Sequence, residues 1–585
     1  MILLKYGHRL VAEPIKLHRL KFTAIIGLAL LTGQVDGQEM DHSAHAMEMG
    51  DSLAWTMPPH PMWMDPAMMA PFMGIVPNVS PFLPGPDLDI GVLPMARTPK
   101  VKHLADGDTL RLEAAILHGM IGSRMVKVYG FNGQFPGPSL RVPQGATIVV
   151  EFTNNIDFST TLRWHGVRVE NSYDGVPGLT QNPVRVGDTY TAHVYFPDAG
   201  VFWYHPHQRA HIAQDLGMYG SIIVDSPNPD YYGPANSEES LIIDDALMTD
   251  TNWTPFGLEA PTNALMGRFG NVHLVNGKPG FRKTVNKGDV LRLFLIDASN
   301  TRNYNLRIEG GVPMKLVAGD LSRFEREEMT PTVIIAPGQR YVVDAKFDEA
   351  GEYALTNRIT AVDHWMGEYF YQVDTLGIFV VSDQNTSQDY SVEFETLRSN
   401  EEVVSEFNAV RAEASRQVDE ELVLSLNIGE LPIPVIMMME MDTLFYPPVE
   451  FNDAMPMMNW LSTGMDVTWL MHEPDPGASP RDLGPAYGWR FKEGDIVKIR
   501  IYNTHESWHP MSHPLHLHGQ RFAVIEQDGV ETENLVWRDT ILIPVGSTID
   551  LMVEMSNPGT WMFNCQIPEH MGSGMSMNFT VDPVP

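Results

Sequence analysis

The sequence predicts an all-β protein built from three similar β-sandwich domains. From residue 98 onward, short runs rich in β-branched residues alternate with Gly, Pro and Asn turns, as in ATIVVEFTNN at 146–155. Strands at this spacing are typical of sandwiches and barrels. One frame, a short basic strand followed by a Gly turn, an alternating strand and a polar exit, recurs at residues 141–155, 284–300 and 490–504. Three copies of one frame indicate three related domains.

Residues 399–421 predict a helix that links the second and third domains. Ser399 and Glu402 could form a capping box at its start. Its apolar face would consist of Val403, Phe407, Val410 and Ala414. The predicted organisation is therefore a signal peptide at 1–37, a Met/His/Pro-rich disordered leader at 38–97, domains at 98–230 and 231–395, a helical linker at 396–422, and a third domain at 423–585 with a Met-rich insertion.

The first 37 residues predict export. Basic residues precede the apolar run FTAIIGLALLTG, which is too short to span a bilayer but suits the core of a signal peptide. We expect a location in the periplasm, the cell envelope or the extracellular space, with an uncleaved anchor as the alternative. No later run is long enough for a transmembrane helix, so an integral membrane protein is not expected.

The formal net charge is −33 at pH 7. This charge argues against nucleic acid as a partner, because phosphate binding requires Lys and Arg. It suits a soluble protein that meets cations or a basic partner, and the alternative is a contribution to solubility alone.

Cys565 is the only cysteine of the chain, so an exported protein of this sequence cannot form an internal disulfide. Its thiol must be buried and inert, bonded to another chain, or bound to a metal. His570 and Met575 follow at steps of five residues, and these neighbours favour the metal.

Methionine is concentrated in two segments. Nine Met lie between Met40 and Met73, interleaved with histidines, and nine lie between Met437 and Met471. Thioethers and imidazoles suit Cu(I). The alternatives are a flexible tail for the first segment and a buried Met-rich core for the second. We favour an exposed insertion in the third domain whose candidate Cu(I) ligands are Met437, Met438, Met439, Met441, Met455, Met457 and Met458.

Three short segments hold most of the remaining candidate ligands, namely TLRWHG at 161–166, VFWYHPH at 201–207 and HPLHLHG at 513–519. Alternate residues of a strand face the same way, so each H-x-H pair can present two imidazoles to one site. A single histidine would more often be a core residue, but three such elements together with the cysteine segment indicate metal binding.

With YGFNGQFPGPSLRVPQG at 129–145 and DAGVFWYHPH at 198–207, these motifs resemble the multicopper oxidases, the laccase-like family of three cupredoxin domains. The chain is most similar to bacterial periplasmic copper-resistance members with Met-rich segments, and the resemblance covers residues 98–585. It implies Greek-key cupredoxin sandwiches, a type 1 blue copper, and a trinuclear cluster of one type 2 and two type 3 coppers that reduces dioxygen.

The resemblance carries over completely for the type 1 copper. Its ligands would be His513, Cys565 and His570, with Met575 as the axial ligand. A trigonal His₂Cys set with a weak Met suits one-electron transfer.

The trinuclear cluster carries over only in part. Of the eight imidazoles of the family, five are present: His165, His205, His207, His516 and His518. Arg163 stands where a type 2 ligand belongs, and Asn564 and Gln566 stand where type 3 ligands belong. By correspondence, type 2 copper keeps His516, one type 3 copper keeps His165 and His205, and the other keeps His207 and His518.

These substitutions predict an impaired cluster. Arginine has no lone pair to donate and stays protonated, and amide oxygens are weak ligands beside imidazole. In the family, electrons leave the type 1 copper through the cysteine and its flanking histidines, which are amides here. Asp174 matches an acidic proton-relay position of the family.

Three functions are compatible with this pattern. The first is a redox or copper-binding protein with type 1 copper and doubtful trinuclear copper, which acts in electron transfer or copper homeostasis with copper ions and a redox partner protein. In it, the five histidines could hold one metal ion, copper or zinc. The second is an active oxidase of cuprous or other metal ions or of phenols, with unusual cluster ligands. The third is a structural or partner-binding descendant. Enzymatic activity and oligomeric state stay open at this point.

Overall fold

The computed structural model describes residues 81–363, 368–428, 431, 436, 449–451, 458, 466–475 and 488–584. The described part is dominated by strands, and the predicted all-β class is confirmed. The predicted signal peptide and residues 38–80 of the predicted leader lie outside the described residues.

The first pair of sheets lies within residues 101–225. One sheet has the strand order β1-β4-β9-β8-β6 and the other β3-β2-β5-β7. The strands are β1 Val101–His103, β2 Thr109–Ile121, β3 Arg124–Phe131, β4 Ser139–Pro143, β5 Thr147–Asn155, β6 Arg163–His165, β7 Thr189–Tyr195, β8 Gly200–His205 and β9 Gly220–Asp225.

The second pair of sheets lies within residues 237–385. The strand orders are β11-β10-β13-β18-β15-β16 and β12-β20-β19-β14-β17. The strands are β10 Ser237–Ala246, β11 Val272–Val275, β12 Phe281–Lys287, β13 Val290–Asp297, β14 Tyr304–Ile308, β15 Met314–Ala318, β16 Arg323–Thr330, β17 Val333–Ile335, β18 Arg340–Lys346, β19 Gly351–Asp363 and β20 Glu368–Asn385.

The third pair of sheets begins at residue 420 and ends at residue 582. The strand orders are β23-β21-β25-β30-β27-β28 and β24-β32-β31-β26-β29. The strands of this pair are β21 Glu420–Asn427, β23 Thr468–His472, β24 Trp489–Lys492, β25 Ile496–Asn503, β26 His513–Leu517, β27 Arg521–Gln527, β28 Val530–Glu531, β29 Thr540–Ile543, β30 Thr548–Glu554, β31 Gly559–Cys565 and β32 Ser576–Asp582. Strand β22, Val449–Phe451, lies between β21 and β23 along the chain but belongs to the second pair of sheets.

Strand β22 belongs to the predicted Met-rich insertion but pairs with the second pair of sheets. It runs parallel to β19, with Val449 opposite Thr360. The insertion is therefore held at this point against the middle sandwich. Met458 is fully buried in the core of the third sandwich, so the predicted exposure is not found there. A flexible thioether fills such a core well. The other six candidate Cu(I) ligands lie outside the described residues.

Each pair of sheets encloses an apolar core, as expected for side chains that alternate between the two faces of a strand. Five α-helices connect or flank the described sheets. They are α1 Ala210–Ala213, α2 Ala260–Met266, α3 Ser391–Glu395, α4 Glu401–Glu413 and α5 Pro568–Gly572. Within the described residues, no helix combines the length and the apolar character that a bilayer crossing requires.

The predicted linker helix is α4, and its apolar face is buried. Val403, Phe407 and Val410 join the core of the first sandwich, and the Phe407 ring lies 4.8 Å from the ring of Trp537 in the third. The predicted capping box is wrong. The Ser399 hydroxyl donates to Glu401, and Glu402 instead pairs with Arg323.

The last part of the predicted leader is ordered. The Phe82 N–H donates to the Phe256 carbonyl at 2.8 Å, and the Ala96 N–H donates to the His118 carbonyl at 2.8 Å. Residues 81–97 thus lie against the first sandwich. Prolines exclude an α-helix or a central strand here, but they permit single bridges at a sheet edge.

Candidate metal centres

The four predicted type 1 ligands come from the ends of adjacent elements. His513 opens β26, Cys565 closes β31, His570 lies in α5, and Met575 precedes β32. Strand β31 pairs with both β26 and β32, with Cys565 opposite Leu515. The Cys565 N–H also donates to the Met575 carbonyl at 3.0 Å. This pairing brings ligands that are 62 residues apart along the chain to one end of the sheet.

The donor atoms converge. Cys565 Sγ lies 3.8 Å from His513 Nδ1 and 3.9 Å from His570 Nδ1, and the two Nδ1 atoms are 3.3 Å apart. All four side chains are at most 1% exposed. Distances of this size separate ligands that share one ion at about 2.0–2.3 Å from each donor.

Burial determines the charge of these groups. It lowers the pKa of His513 to about 3 and that of His570 well below its ordinary value, so both imidazoles are neutral and can donate a lone pair. Burial raises the pKa of the Cys565 thiol well above its ordinary range. A bound metal cation reverses this effect, because a coordinated thiol loses its proton.

Helix α2 and Trp469 cover the imidazoles. The Trp469 ring lies 4.7 Å from the His513 ring and 4.4 Å from the His570 ring. The Trp469 Nε1–H donates to the Ala264 carbonyl at 2.9 Å, and His570 Nε2 lies 3.2 Å from the Leu265 carbonyl. Since a carbonyl only accepts, His570 carries its proton on Nε2 and keeps Nδ1 free for a metal.

Two buried acids lie next to this centre. Burial raises the pKa of Asp215 to about 7 and that of Glu569, the neighbour of His570, to about 8. Asp215 accepts from Arg268 at 2.9 Å, and Glu569 Oε1 accepts from Asn300 at 3.4 Å. Glu569 is therefore protonated at neutral pH.

A pH dependence of stability follows from the raised pKa of Glu569. Folding disfavours its charged form, so the metal-free protein should lose stability as the pH rises from about 5 to about 8. In wild type, the free energy of unfolding should fall by on the order of 1–3 kcal/mol across this pH range. Glu569→Gln should remove this fall, because the amide does not ionise. Thermal unfolding of both proteins between pH 5 and 8 measures the difference. The control is Glu151→Gln, which removes an acid whose side chain is 38% exposed. Parallel curves for wild type and Glu569→Gln would contradict the expectation.

The eight positions that correspond to the trinuclear cluster also meet in the interior. Arg163 and His165 lie on β6, with Arg163 opposite His205 at the end of β8. His516 on β26 lies opposite Asn564 on β31. The five imidazoles form one connected set, in which each ring lies near at least two others. The distances between ring centroids are 3.9 Å for His165 and His516, 5.5 Å for His165 and His205, 6.5 Å for His205 and His207, 5.3 Å for His207 and His518, and 4.9 Å for His516 and His518.

The Arg163 guanidinium lies inside this set, with the residue 1% exposed. Its Nη2 is 2.7 Å from His516 Nε2. His516 Nδ1 is 2.9 Å from the carbonyl of Asp539, so Nδ1 carries the proton and Nε2 accepts from Arg163. The lone pair that a type 2 ion would need is already used by a permanent cation.

His518 is held between an acid and an amide. Its Nδ1 lies 2.7 Å from Asp174 Oδ2, and its Nε2 lies 3.0 Å from Asn564 Oδ1. Arg163 Nε is 3.7 Å from the other oxygen of Asp174. Although burial raises the pKa of Asp174, His518 and Arg163 together hold it below its ordinary value. The predicted proton-relay residue is therefore an ionised partner of two basic groups.

A second ion pair lies beside the first. Arg340 donates to both carboxylate oxygens of Asp539, at 2.7 and 2.5 Å. Asp539 Oδ1 lies 3.3 Å from His165 Nε2 and 3.2 Å from His516 Nδ1. Gly166, at φ +83°, permits this approach, because a Cβ there would lie 2.5 Å from Arg340 Nη2. Asp320 Oδ1 also lies 3.5 Å from Arg340 Nη1, so each of the two guanidiniums already faces a buried carboxylate.

Multicopper oxidase family models match the chain at residues 118–229, 230–383 and 463–585. The chain belongs to the multicopper oxidase family. It is 24% identical to Laccase-2 of Botryotinia fuckeliana over an alignment of 505 residues that covers 77% of this chain and 78% of that protein. It is 22% identical to Multicopper oxidase mco of Staphylococcus aureus over 465 residues, 76% of this chain and 82% of that protein.

Solved structures of multicopper oxidases share the fold. A multicopper oxidase from Campylobacter jejuni, described as a metallo-oxidase, has a TM-score of 0.64 at 20% identity and covers 87% of this chain and 98% of that one. A multi-copper oxidase from Pseudomonas Thermotolerans has a TM-score of 0.58 at 23% identity. The match covers 82% of this chain and 100% of that one.

Multicopper oxidases bind copper, and the residues of this member differ in how well they fit it. A buried thiol, two neutral imidazoles and a buried Met575 fit one type 1 ion, which would supply one-electron redox chemistry. At the cluster positions, His516 already accepts from Arg163, and Asn564 offers His518 only an amide oxygen.

Sequence reasoning found the candidate ligands of this multicopper oxidase but missed the residues that surround them. Trp469, Leu265, Asp539 and Arg340 carry no motif of their own. Leu265 acts through its backbone carbonyl, which no side-chain pattern can reveal. Arg340 lies in a different sandwich from Asp539, so only the packing of sheets against each other brings the pair together.

Proposed function

We propose that this multicopper oxidase family member is an exported copper protein that keeps the type 1 site and lacks a working trinuclear cluster. It serves one-electron transfer, or copper binding and homeostasis, rather than the four-electron reduction of dioxygen. One observation carries the proposal: Arg163 Nη2 lies 2.7 Å from His516 Nε2, the only imidazole left at the type 2 position. A guanidinium cannot act as a ligand, and it repels a metal cation placed beside it.

The surroundings of the type 1 residues support electron transfer. The buried ligands exclude water, and the hydrogen bond from His570 Nε2 to the Leu265 carbonyl holds that ring in one tautomer. Fixed ligands limit rearrangement when a bound ion changes its charge, which favours rapid one-electron exchange. A redox partner protein would then supply or remove the electron.

The residues beside Cys565 support the loss of dioxygen chemistry. Asn564 donates from its Nδ2 to the Cys565 carbonyl at 2.8 Å and presents its oxygen to His518. Gln566 and His165 both lie beside Gly338, where an added Cβ would be 2.8 Å from Gln566 Cγ and 2.9 Å from His165 Cε1. Neither amide can continue an imidazole bridge from the cysteine toward the cluster positions.

A second candidate function is an oxidase of cuprous or other metal ions or of phenols, and one observation favours it. The five remaining imidazoles form one connected set, and burial lowers the pKa of each of them, so that they are neutral. Relatives named laccase and a structural neighbour described as a metallo-oxidase point the same way. The five histidines could also hold a single ion, copper or zinc.

The copper content and the visible spectrum of the purified protein test the proposal. We expect about one tightly bound copper per chain and the blue absorption of a Cys-ligated type 1 ion. Cys565→Ser should remove the blue band and this copper, since a hydroxyl does not replace the thiolate. Circular dichroism of the variant, unchanged from wild type, would show that the sheets remain folded. Four coppers per chain, or oxygen uptake by the wild type with a phenol or Cu(I), would overturn the proposal in favour of the oxidase.

A further inference from the structure

The hairpin formed by β2 and β3 exposes an unusual number of methionines on its outer face. Met120 and Met125 are 41% and 50% exposed, and Met95, in the segment that runs beside β2, is 62% exposed. Single exposed apolar residues are ordinary on protein surfaces, but a group of thioethers at one place is not.

The strand register places these residues on the same face as a histidine. Met120 lies directly opposite Met125, and Met95 forms a parallel bridge with His118. His118 and Met120 are two residues apart on β2, so both point to the same side of the sheet. Residues directly opposite have Cβ atoms about 4.5–5.5 Å apart and diagonal neighbours about 7–8 Å, so the flexible thioethers can converge near the imidazole.

The tautomer of His118 is fixed for ligation. Its Nδ1 lies 2.8 Å from the Leu93 carbonyl, which can only accept, so Nδ1 carries the proton. Nε2 therefore keeps a lone pair. A backbone carbonyl that holds the second nitrogen in this way is the usual partner of a metal-binding histidine.

The charges around the four side chains favour a monovalent ion. Lys127 lies opposite His118 on the same face, and its ammonium donates to the Gly85 carbonyl. None of the four donors is a carboxylate. Hard divalent cations prefer oxygen ligands, whereas thioether and imidazole ligands suit Cu(I).

We propose that His118 Nε2 and the sulfur atoms of Met95, Met120 and Met125 form a surface site for Cu(I). The site lies in the first sandwich, and the type 1 ligands lie in the third. It does not depend on the proposed function, since its donors are separate from both internal centres.

The test uses the full-length protein with methyl-¹³C methionine and Ag(I) as a redox-inert probe for Cu(I). Single Met→Leu variants at 95, 120 and 125 assign the three methyl signals. We expect these signals to shift together along one saturation curve. His118→Gln should weaken the Ag(I) affinity reported by all three by at least about tenfold, while other methyl signals show that the fold is kept.

Met329 provides the matched control. It is 41% exposed, like Met120, but its neighbour across the strand is Lys315 rather than a methionine or histidine. Its methyl signal should move only at higher Ag(I) concentrations. The proposal would be overturned if the three methionine methyl signals titrated independently with Ag(I), or if they moved no earlier than the Met329 signal. It would also be overturned if His118→Gln left their Ag(I) affinity unchanged.

Discussion

The triple variant Arg163→His, Asn564→His and Gln566→His is expected to bind more copper than the wild-type protein, rising from about one ion per chain toward four. The three positions already meet at the five remaining imidazoles, so the changes restore a nitrogen donor to each deficient position. The copper affinity of these positions should increase by more than about 100-fold, because the loss of residues that only support ligands already costs about 10–100-fold. Copper analysis of the dialysed protein and oxygen uptake with a phenol or Cu(I) measure both effects.

The double variant Asn564→His and Gln566→His separates the role of Arg163 from that of the amides. With Arg163 in place, His516 Nε2 stays occupied at 2.7 Å, so the type 2 position should stay empty and oxygen uptake should remain near wild type, while copper content rises only toward three ions per chain. If the double variant gains as much copper as the triple variant, Arg163 does not exclude the metal. If the triple variant still binds only one copper ion, the residues at positions 163, 564 and 566 are not what prevents copper binding at the cluster positions.

Arg163→Met is expected to destabilise the metal-free protein by about 3–5 kcal/mol, the typical cost of removing one partner from a buried ion pair. The change leaves the buried Asp174 carboxylate facing His518 alone and removes the donor to His516. Equilibrium unfolding in denaturant measures the difference in the free energy of unfolding.

Arg111→Met is the matched control for this measurement. Arg111 also pairs with an acid, Glu151, at 2.9 Å, but its side chain is 84% exposed. Solvent screens such a pair, so the loss should stay within about 1 kcal/mol. Equal losses for the two variants would show that Arg163 is not an internal structural cation.

Much of the fold could be predicted from the sequence because strands in packed sandwiches carry local signals. Alternating apolar residues and Gly turns predicted the all-β class, and the apolar spacing of Val403, Phe407 and Val410 predicted the buried face of α4. The errors occurred where local signals compete. Ser399 and Glu402 have the spacing of a capping box, but each finds another partner, and residues 81–97 are rich in proline yet ordered against a sheet edge.

The sequence predicted more about the candidate type 1 site than about the cluster positions. His513, Cys565, His570 and Met575 lie in motifs that resemble the type 1 ligand motifs of the family, and the structure brings their backbones and three of their donor atoms together. From the sequence, it could be predicted only that Arg163 weakens metal binding at the type 2 position, not how it does so. That its guanidinium uses the lone pair of His516 depends on β6 meeting β26, strands of different sandwiches whose residues are more than 350 positions apart.

The sequence by itself determined the class of fold, and its motifs supplied the proposed type 1 ligands and the three substituted cluster positions through their resemblance to the family. Only the tertiary structure decided how the interior is neutralised, with Arg163 facing Asp174 and Arg340 paired with Asp539. It also decided that the Leu265 carbonyl holds the tautomer of His570. The physical reason is that hydrogen bonds and charge balance in a buried site depend on distances between sheets, and these distances have no local signature in the chain.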